Sequence, residues 1–237
     1  MKLVIAAAMQ EELAPFHGSY NVKQLLKRGK TVIEEVLDQN GYALYLVETG
    51  IGKANAAASA SILCETIKPD VIINTGSAGG FLNEVEIGDV VYGSRLSYSD
   101  VDATGFDYIF GQVPQMPSEY SLNQDWLTLF DSLDSSKDYS IHKGLIVTSD
   151  SFMSQLDLVK RVKDLFPNAL ASDMESTAIA QVASFYAIPV VNIRGISDIA
   201  GVGAATSFDT HLGKAAAHAF QETKRFIGIL VENQEIK

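Results

Sequence analysis

The stretch DVIINTGSAGG, residues 70–80, sets the fold class of this chain. Its uninterrupted Val and Ile residues are typical of a strand buried on both faces, and the glycines that follow mark the end of that strand. Comparable apolar runs recur with helical patterns between them: LVIAAA (3–8), GDVVYG (88–93), KGLIVTS (143–149), NALAS (168–172) and PVVNIRGIS (189–197). This alternation predicts an α/β protein, a three-layer α/β/α sandwich around a central mixed, largely parallel sheet.

Hairpin and helical patterns fill the segments between these runs. TVIEEVL (31–37) and YALYLVE (42–48) alternate apolar and polar residues, which predicts a hairpin around Asn40-Gly41. The predicted helices cover residues 53–67, residues 155–166 and a final segment that begins at a Ser207 cap. No linker rich in Gly, Ser or Pro divides the chain, so we expect a single domain over residues 1–237.

The composition excludes several classes of partner. The 237 residues are 47% hydrophobic and carry a formal net charge of −11. Lys and Arg form no cluster, so a nucleic-acid partner is not expected. No apolar run approaches the roughly 18 residues of a membrane span, and the N-terminal stretch carries no signal cleavage pattern. We therefore expect a soluble, cytoplasmic protein without a membrane partner.

Residues that bind metals or cofactors are sparse. Cys64, the only cysteine, lies in an apolar helical pattern, so we expect a small buried side chain. The histidines show no metal-ligand spacing: His17, His142, His211 and His218. The glycine-rich NTGSAGG (74–80) is neither a dinucleotide-binding fingerprint nor a P-loop. The sequence therefore predicts neither a metal site nor a cofactor.

Two acids stand near the start of a small-residue helical pattern, ASDMESTAIAQVA (171–183). Ser172-x-x-Glu175 matches a capping box, which gives Glu175 a structural role. The position of these acids just after a strand indicates ligand binding as an alternative role, because ligands of open α/β sheets bind beyond the carboxyl ends of the strands. Polar clusters fall at this edge in four places: residues 9–12, 76–80, 172–175 and 197–198.

The carboxylates in these clusters suit acid–base chemistry. Partly buried carboxylates can have raised pKa values, so one can act as an acid while another stays ionised as a base. Most enzymes that hydrolyse a glycosidic bond use two such carboxyl groups, and the candidates here are Glu12 and Asp198. A helix-start acid at Glu12 and an Asx-type turn at Asp198 are the structural alternatives. Phe152 offers either a stacking face or an ordinary core side chain.

Five stretches carry a recognisable family pattern: AAMQEE (7–12), TGIGK (49–53), DVIINTGSAGG (70–80), MESTAIAQV (174–182) and RGISD (194–198). In this order and spacing, the chain resembles the 5′-methylthioadenosine/S-adenosylhomocysteine nucleosidases from residue 1 to about residue 230. The resemblance implies a nucleoside phosphorylase-like fold. It also implies an N-glycosidase that releases adenine from methylthioadenosine, S-adenosylhomocysteine and 5′-deoxyadenosine, in methionine salvage and the removal of methyl-cycle by-products.

The resemblance further implies a role for each acid. Glu12 is the base that activates the attacking water. Asp198, helped by Ser197, protonates adenine at N7, and Glu175 holds the ribose hydroxyls. The other residues that the resemblance places at the substrate are Met9, Ile51, Ser77, Ala78, Gly79, Phe152, Met153, Met174, Arg194 and Phe208.

A second subunit is implied by the same resemblance. Ala103, Phe106 and Pro114 complete the pocket for the 5′ substituent from the partner subunit of a homodimer, and Ala103 stands where the family commonly has valine. Asp173 stands where the family usually has Glu, and we assign Asp173 no catalytic role.

Asn74 bears on the choice between a hydrolase and a phosphorylase. Phosphorylases that resemble this chain carry at this place an arginine, which holds phosphate. Asparagine cannot supply the bidentate cation that a dianion needs, so water is the favoured nucleophile, with Glu12 as its base. Two alternatives stay open: a phosphorylase of similar architecture, and a ligand-binding or storage protein without activity. A storage protein would require none of the three acids Glu12, Glu175 and Asp198, so their presence together argues against that alternative.

Overall fold

The computed structural model describes residues 1–37, 39, 41–122, 124–131, 133, 138–201 and 203–235. Its strands, in chain order, are β1 (Lys2–Ala7), β2 (Val22–Arg28), β3 (Thr31–Val36), β4 (Ala43–Glu48), β5 (Val71–Gly80), β6 (Val90–Tyr98), β7 (Tyr120–Ser121), β8 (Ile141–Thr148), β9 (Ala169–Asp173) and β10 (Val190–Ile199). Its helices are α1 (Gln10–His17), α2 (Lys53–Thr66), α3 (Gln124–Asp131), α4 (Leu156–Leu165), α5 (Ser176–Phe185) and α6 (Ala204–Glu235), with a short 3-10 helix at Thr104–Phe106.

These strands join one mixed sheet in the order β10-β6-β8-β9-β5-β1-β4-β3-β2, and β7 pairs with β6. β1 lies parallel to β4 and β5, and β10 lies parallel to β5. Because β10 also pairs with β6, the strands β5, β10, β6, β8 and β9 close into a ring. The predicted α/β fold with a mixed sheet is confirmed. The sequence did not predict this ring, because its closure depends on a short antiparallel contact of β9 with β5.

Strand β1 shows why the sheet is covered on both faces. Its side chains are fully buried from Leu3 to Ala7, and they alternate between two apolar cores. Leu3 and Ile5 pack in a core shared with α1 and α6, whereas Val4 and Ala6 pack in a core shared with α2 and α5. A strand that buries both faces needs a helical layer on each side, which gives the three layers.

Two element boundaries differ from the predictions. β5 continues through Gly80, so the glycine-rich segment belongs to the strand and is not a turn. The last helix begins at Ala204, and the Ser207 N–H bonds to the Gly203 carbonyl at 3.0 Å within its first turn. The predicted Ser207 cap is therefore wrong. The Ser207 hydroxyl instead donates to the Ser197 carbonyl at 3.3 Å.

The sheet ends at β4, β3 and β2, which form a hairpin and one strand that the sequence did not predict. β3 and β4 form the predicted antiparallel hairpin, and Asn40 of its predicted turn lies outside the described residues. β2 pairs with β3 and is mostly exposed, which explains why its sequence lacks a strand's apolar alternation. Within the described ranges, no helix combines the length and the apolar character that crossing a membrane requires.

Candidate active site

A cavity of about 330 Å³ opens where β1, β5, β9 and β10 end. This is the edge at which the sequence predicts a ligand. Its lining contains most of the predicted site residues: Met9, Glu12, Ile51, Ser77, Ala78, Gly79, Phe152, Met153, Met174, Glu175, Ser197, Asp198 and Phe208. Further lining residues are Ala8, Ser151, Ser172, Asp173, Ala205 and Asp209. Among the described residues, His, Cys, Asp and Glu side chains form no group that could hold a metal ion.

Four hydrogen bonds hold Glu12 at the start of α1. Its Oε2 accepts the N–H groups of Ala8 and Met9 at 2.9 and 3.3 Å. Its Oε1 accepts the N–H and the hydroxyl of Ser77 at 2.7 and 2.8 Å. The bond to Met9 is the contact that a helix-start acid makes, so Glu12 is a helix-start acid and a cavity residue at once. All four partners donate, as an ionised carboxylate requires.

Gly76 and Gly79 leave the space that two of the acids occupy. A Cβ atom at Gly76 would lie 2.5 Å from Glu12 Oε1, and one at Gly79 would lie 3.0 Å from Asp198 Oδ2. Gly76 also has a φ of +141°, which side-chain-bearing residues rarely adopt. The glycines of β5 therefore let the strand's backbone pass directly beside the carboxylates.

The start of α5 differs from the predicted capping box. Ser172 belongs to β9, and α5 begins at Ser176. Glu175 stands at the N-cap position, and Asp173, two residues earlier, supplies the side chain: its Oδ1 accepts the N–H groups of Glu175 and Ser176 at 3.3 and 3.2 Å. The predicted box is therefore wrong, and the Glu175 carboxylate does not cap its helix. Glu175 Oε1 instead accepts the Gly52 N–H at 2.9 Å.

Arg194 is a buried cation beside the cavity. It is 1% exposed, and its Nη2 lies 3.2 Å from Asp173 Oδ2 and 3.8 Å from Glu175 Oε2. Nη2 also donates to Asn74 Oδ1 at 2.6 Å, and Nη1 donates to the Ser77 carbonyl at 3.2 Å. One guanidinium on β10 thus contacts two carboxylates and is fixed against β5.

A bulge in β10 brings Asp198 to the cavity. The pairing of β10 with β5 shifts between Ile196 and Asp198, which makes Ser197 an extra residue. The Ser197 hydroxyl donates to Asp198 Oδ1 at 2.8 Å. Asp198 lies within a strand, so the alternative of an Asx-type turn is wrong.

Burial raises the pKa of two acids in the cavity. For Asp198, burial raises the pKa and the hydrogen bond from Ser197 opposes the shift. For Glu175, burial raises the pKa, the Arg194 charge opposes it, and the charges of Asp173 and Glu12 add to it. A carboxyl group with a raised pKa keeps its proton to a higher pH, as a general acid must.

Phe152 and Phe208 form an aromatic wall with an edge-to-face arrangement and ring centroids 6.0 Å apart. Phe152 is 39% exposed at the cavity, so it is not a core side chain. Ala205 and Asp209 line the cavity from the same first turns of α6 as Phe208. Sequence reasoning missed both residues, and for Ala205 the reason is that it began this helix at Ser207. Their i, i+4 spacing places them on one helix face, which was the available signal.

Three predicted residues lie apart from this cavity. Ala103, Phe106 and Pro114 do not belong to its lining in the part of the chain that the structure describes. Phe106 is 80% exposed, and Ile109 three residues later is 66% exposed. At the rim of the cavity, Ile51 is also about half exposed.

The chain belongs to the phosphorylase superfamily, whose family model matches residues 2–228. The 5′-methylthioadenosine/S-adenosylhomocysteine nucleosidase of S. pneumoniae, solved with the transition-state inhibitor MT-ImmA, is similar with a TM-score of 0.91 and 36% identity, over 97% of this chain and 100% of that chain. The nucleosidase of Colwellia psychrerythraea 34H, solved with adenine, is similar with a TM-score of 0.91 and 33% identity, over 97% of this chain and 96% of that chain.

Curated relatives carry the same name. The nucleosidase of Geobacillus sp. (strain WCH70) is 41% identical over 224 residues, which are 92% of this chain and 94% of the relative. That of Bacillus cereus (strain B4264) is 44% identical over 180 residues, 76% of this chain and 78% of the relative. The chain belongs to the 5′-methylthioadenosine/S-adenosylhomocysteine nucleosidase family. The resemblance stated from the sequence, and the fold that it implies, are confirmed.

Proposed function

We propose that this chain hydrolyses the N-glycosidic bond of 5′-methylthioadenosine, S-adenosylhomocysteine and 5′-deoxyadenosine to adenine and the 5-substituted ribose. The observation that carries the proposal is the convergence of Glu12, Glu175 and Asp198 on one cavity from three separate strand ends. Relatives at 41 and 44% identity are nucleosidases, in agreement with the N-glycosidase class predicted from the sequence.

The reaction divides its proton transfers between two acids. Glu12 takes a proton from water, whose oxygen attacks C1′ of the ribose. The C1′–N9 bond breaks through an oxocarbenium-like transition state, and its electron pair goes to adenine. Asp198 donates a proton to N7, so adenine leaves as a neutral base. The four donors around Glu12 and the raised pKa of Asp198 support these opposite proton states.

The remaining residues bind the three parts of the substrate. Glu175 and Met174 hold the ribose hydroxyls, with Arg194 behind them. The ring of Phe152 stacks on adenine, whose edge contacts the backbone of Met153. Ser77, Ala78 and Gly79 surround the water and the sugar, and Met9, Ile51 and Phe208 contact the 5′ substituent. The placement of these groups around one cavity, and of Arg194 beside it, supports the proposal.

The surroundings of Asn74 support water as the nucleophile. Asn74 is fully buried, and its amide group donates to the Ala6 carbonyl at 3.1 Å. Its Oδ1 accepts N–H groups from Arg194 and from Asn192 at 2.6 and 3.1 Å. A neutral side chain thus stands where related phosphorylases place a phosphate-binding arginine, and it serves to hold Arg194.

We further propose a homodimer in the cytoplasm. The exposed Phe106 and Ile109 form an apolar surface of the kind that a partner subunit covers, and Ala103 and Pro114 belong to the same segment. In the dimer, this segment closes the 5′ pocket of the partner beside Ile51. The free thiol of Cys64 is consistent with a reducing compartment.

The function is tested with the purified protein and each of the three nucleosides, with free adenine measured by chromatography. We expect adenine from methylthioadenosine and S-adenosylhomocysteine, and much less from the Asp198→Asn variant. Tight nucleoside binding without any adenine release would support the storage alternative and refute the nucleosidase.

A further inference from the structure

Asp173 is a buried acid of the cavity to which the mechanism gives no role. It is 6% exposed and lines the cavity next to Glu175. Thr148 on β8 donates its hydroxyl to Asp173 Oδ1 at 2.7 Å, and the Ser176 hydroxyl donates to Oδ2. A single side chain therefore joins β8, β9 and the first residue of α5.

The two oxygens of Asp173 hold two different parts of the site. Oδ1 accepts the N–H groups of Glu175 and Ser176, which fixes the backbone that carries Glu175. Oδ2 lies 3.2 Å from Arg194 Nη2, whereas Glu175 Oε2 lies 3.8 Å from the same nitrogen. Arg194 is thus paired more closely with Asp173 than with Glu175. This pairing leaves the Glu175 carboxylate directed to the cavity instead of drawn onto the guanidinium.

We propose that Asp173 is a positioning residue, which caps α5 and holds Arg194 and thereby sets where Glu175 presents its carboxylate to the ribose. The inference rests on the proposed function, in which Glu175 is a ribose ligand. Without the Asp173 charge, Arg194 pairs with Glu175 and moves it. Displacement of a positioning group by about 1 Å costs about 10²-fold in rate.

Asp173→Asn tests this role, because asparagine has the same shape and still caps a helix but lacks the charge beside Arg194. On methylthioadenosine, kcat should fall about 10²-fold. The Kd for adenine, measured by calorimetry, should stay unchanged, because adenine binds at Phe152 and Asp198. The melting temperature should stay within about 5 °C of wild type.

The pH profile gives a readout that a purely structural role would not move. The charged groups that face Glu175 are Arg194 on β10, Asp173 on β9 and Glu12 on α1. The Asp173 charge raises the pKa of Glu175, so its removal lowers that pKa. The acidic limb of the activity profile should therefore move to lower pH in Asp173→Asn. It should stay in place in Asp173→Glu, which retains the charge.

Asp89→Asn is the matched control. Asp89 is 8% exposed and also accepts backbone N–H groups, from Glu86 at 2.9 Å and from Ser140 at 3.1 Å, yet it lies away from the cavity. This variant should keep the wild-type kcat and pH profile, whatever its melting temperature.

Two results overturn the positioning role. One is an Asp173→Asn variant with wild-type kcat and pH profile. The other is a parallel loss of turnover, adenine affinity and melting temperature with an unmoved pH profile. If Asp173→Asn cannot be purified in folded form, Asp173→Ser keeps a capping oxygen without the charge, and the same outcomes apply. A wild-type protein that releases no adenine refutes the proposed function itself. An active wild type beside an unaffected Asp173→Asn variant refutes only the positioning role.

Discussion

Glu12 and Asp198 are both almost fully buried, but their surroundings favour opposite proton states. Glu12 accepts four hydrogen bonds from backbone and hydroxyl donors, which suits a base. For Asp198, burial raises the pKa, which suits an acid, and the hydrogen bond from the Ser197 hydroxyl opposes only part of that rise. Two carboxyl groups in different environments let one site supply both a base and an acid.

The roles of Asp198 and Glu12 can be distinguished by comparing substrates whose leaving groups differ in their need for a proton. Asp198→Asn and Glu12→Gln should each lower kcat on methylthioadenosine by about 10²- to 10⁴-fold, because each removes a general acid–base step. On an analogue whose leaving group needs no proton, Asp198→Asn should recover, whereas Glu12→Gln should stay slow because it still lacks the base. Steady-state kinetics on both substrates measures this. Equal recovery of both variants, or of neither, would mean that the roles are wrongly assigned.

The pH profile of kcat/KM should show two limbs that belong to Glu175 and Asp198. Glu175 binds ribose as an ionised carboxylate and its pKa is raised, so activity should be lost as the pH falls through that raised pKa. Asp198 must carry its proton, so activity should be lost as the pH rises through its own raised pKa. Glu175→Gln should move the acidic limb to lower pH, because the base Glu12 must still be ionised, and Asp198→Asn should remove the basic limb. An acidic limb that stays in place in Glu175→Gln, or a basic limb that survives in Asp198→Asn, refutes the corresponding assignment.

At the scale of elements, the sequence predicts where strands and helices lie but not where they end. The apolar run of β5 is visible from local pattern alone. Its continuation through Gly79 and Gly80 depends on pairing with β9 and β10, which lie far along the chain. The start of α5 likewise depends on contacts with residues that lie far away in the sequence. Ser172 and Glu175 match a capping box in sequence, but the Asp173 carboxylate reaches the helix start because Thr148 and Arg194 hold it there.

Some of the site residues could be predicted from the sequence and others were missed. Glu12, Glu175 and Asp198 could be predicted because each lies at or just beyond the carboxyl end of a buried strand. Ala205 was missed because the sequence pattern placed the start of the last helix at Ser207, whereas α6 begins at Ala204.

A methyl side chain at position 76 of β5 should contact the catalytic base Glu12. In Gly76→Ala, the new Cβ would meet Glu12 at 2.5 Å, and φ is +141°, so both the base and the strand should be disturbed. We expect a lower melting temperature and a kcat reduced by about 10²-fold or more. Gly213→Ala is the control, because this helical glycine has open space around it and alanine should stabilise the helix by about 0.5–1 kcal/mol. A Gly76→Ala enzyme with wild-type kcat would show that β5 does not confine Glu12.

At the scale of the whole molecule, composition and the alternation of strands and helices predict the fold class. The single domain over residues 1–237 stays a prediction, and so does the homodimer. The exposed Phe106 is the side chain on which the dimer depends.

Light scattering of the wild type should show a dimer at micromolar concentration. Phe106→Asp should weaken it and raise the KM for methylthioadenosine, because the charge disrupts the apolar contact that closes the 5′ pocket. Leu25→Asp is the control: Leu25 is 46% exposed on β2, the strand at which the sheet ends beside β3. A wild-type monomer with full activity, or equal effects of both substitutions, would exclude the shared pocket.

Hydrolysis by water is tested by identifying the sugar product. Methylthioadenosine is incubated with the purified protein in phosphate-free buffer and in buffer with inorganic phosphate, and the products are identified by mass spectrometry. With Glu12 as the base and Asn74 in place of a phosphate-binding arginine, we predict adenine and 5-methylthioribose at the same rate in both buffers. Turnover that requires phosphate and yields 5-methylthioribose 1-phosphate would contradict the nucleosidase mechanism.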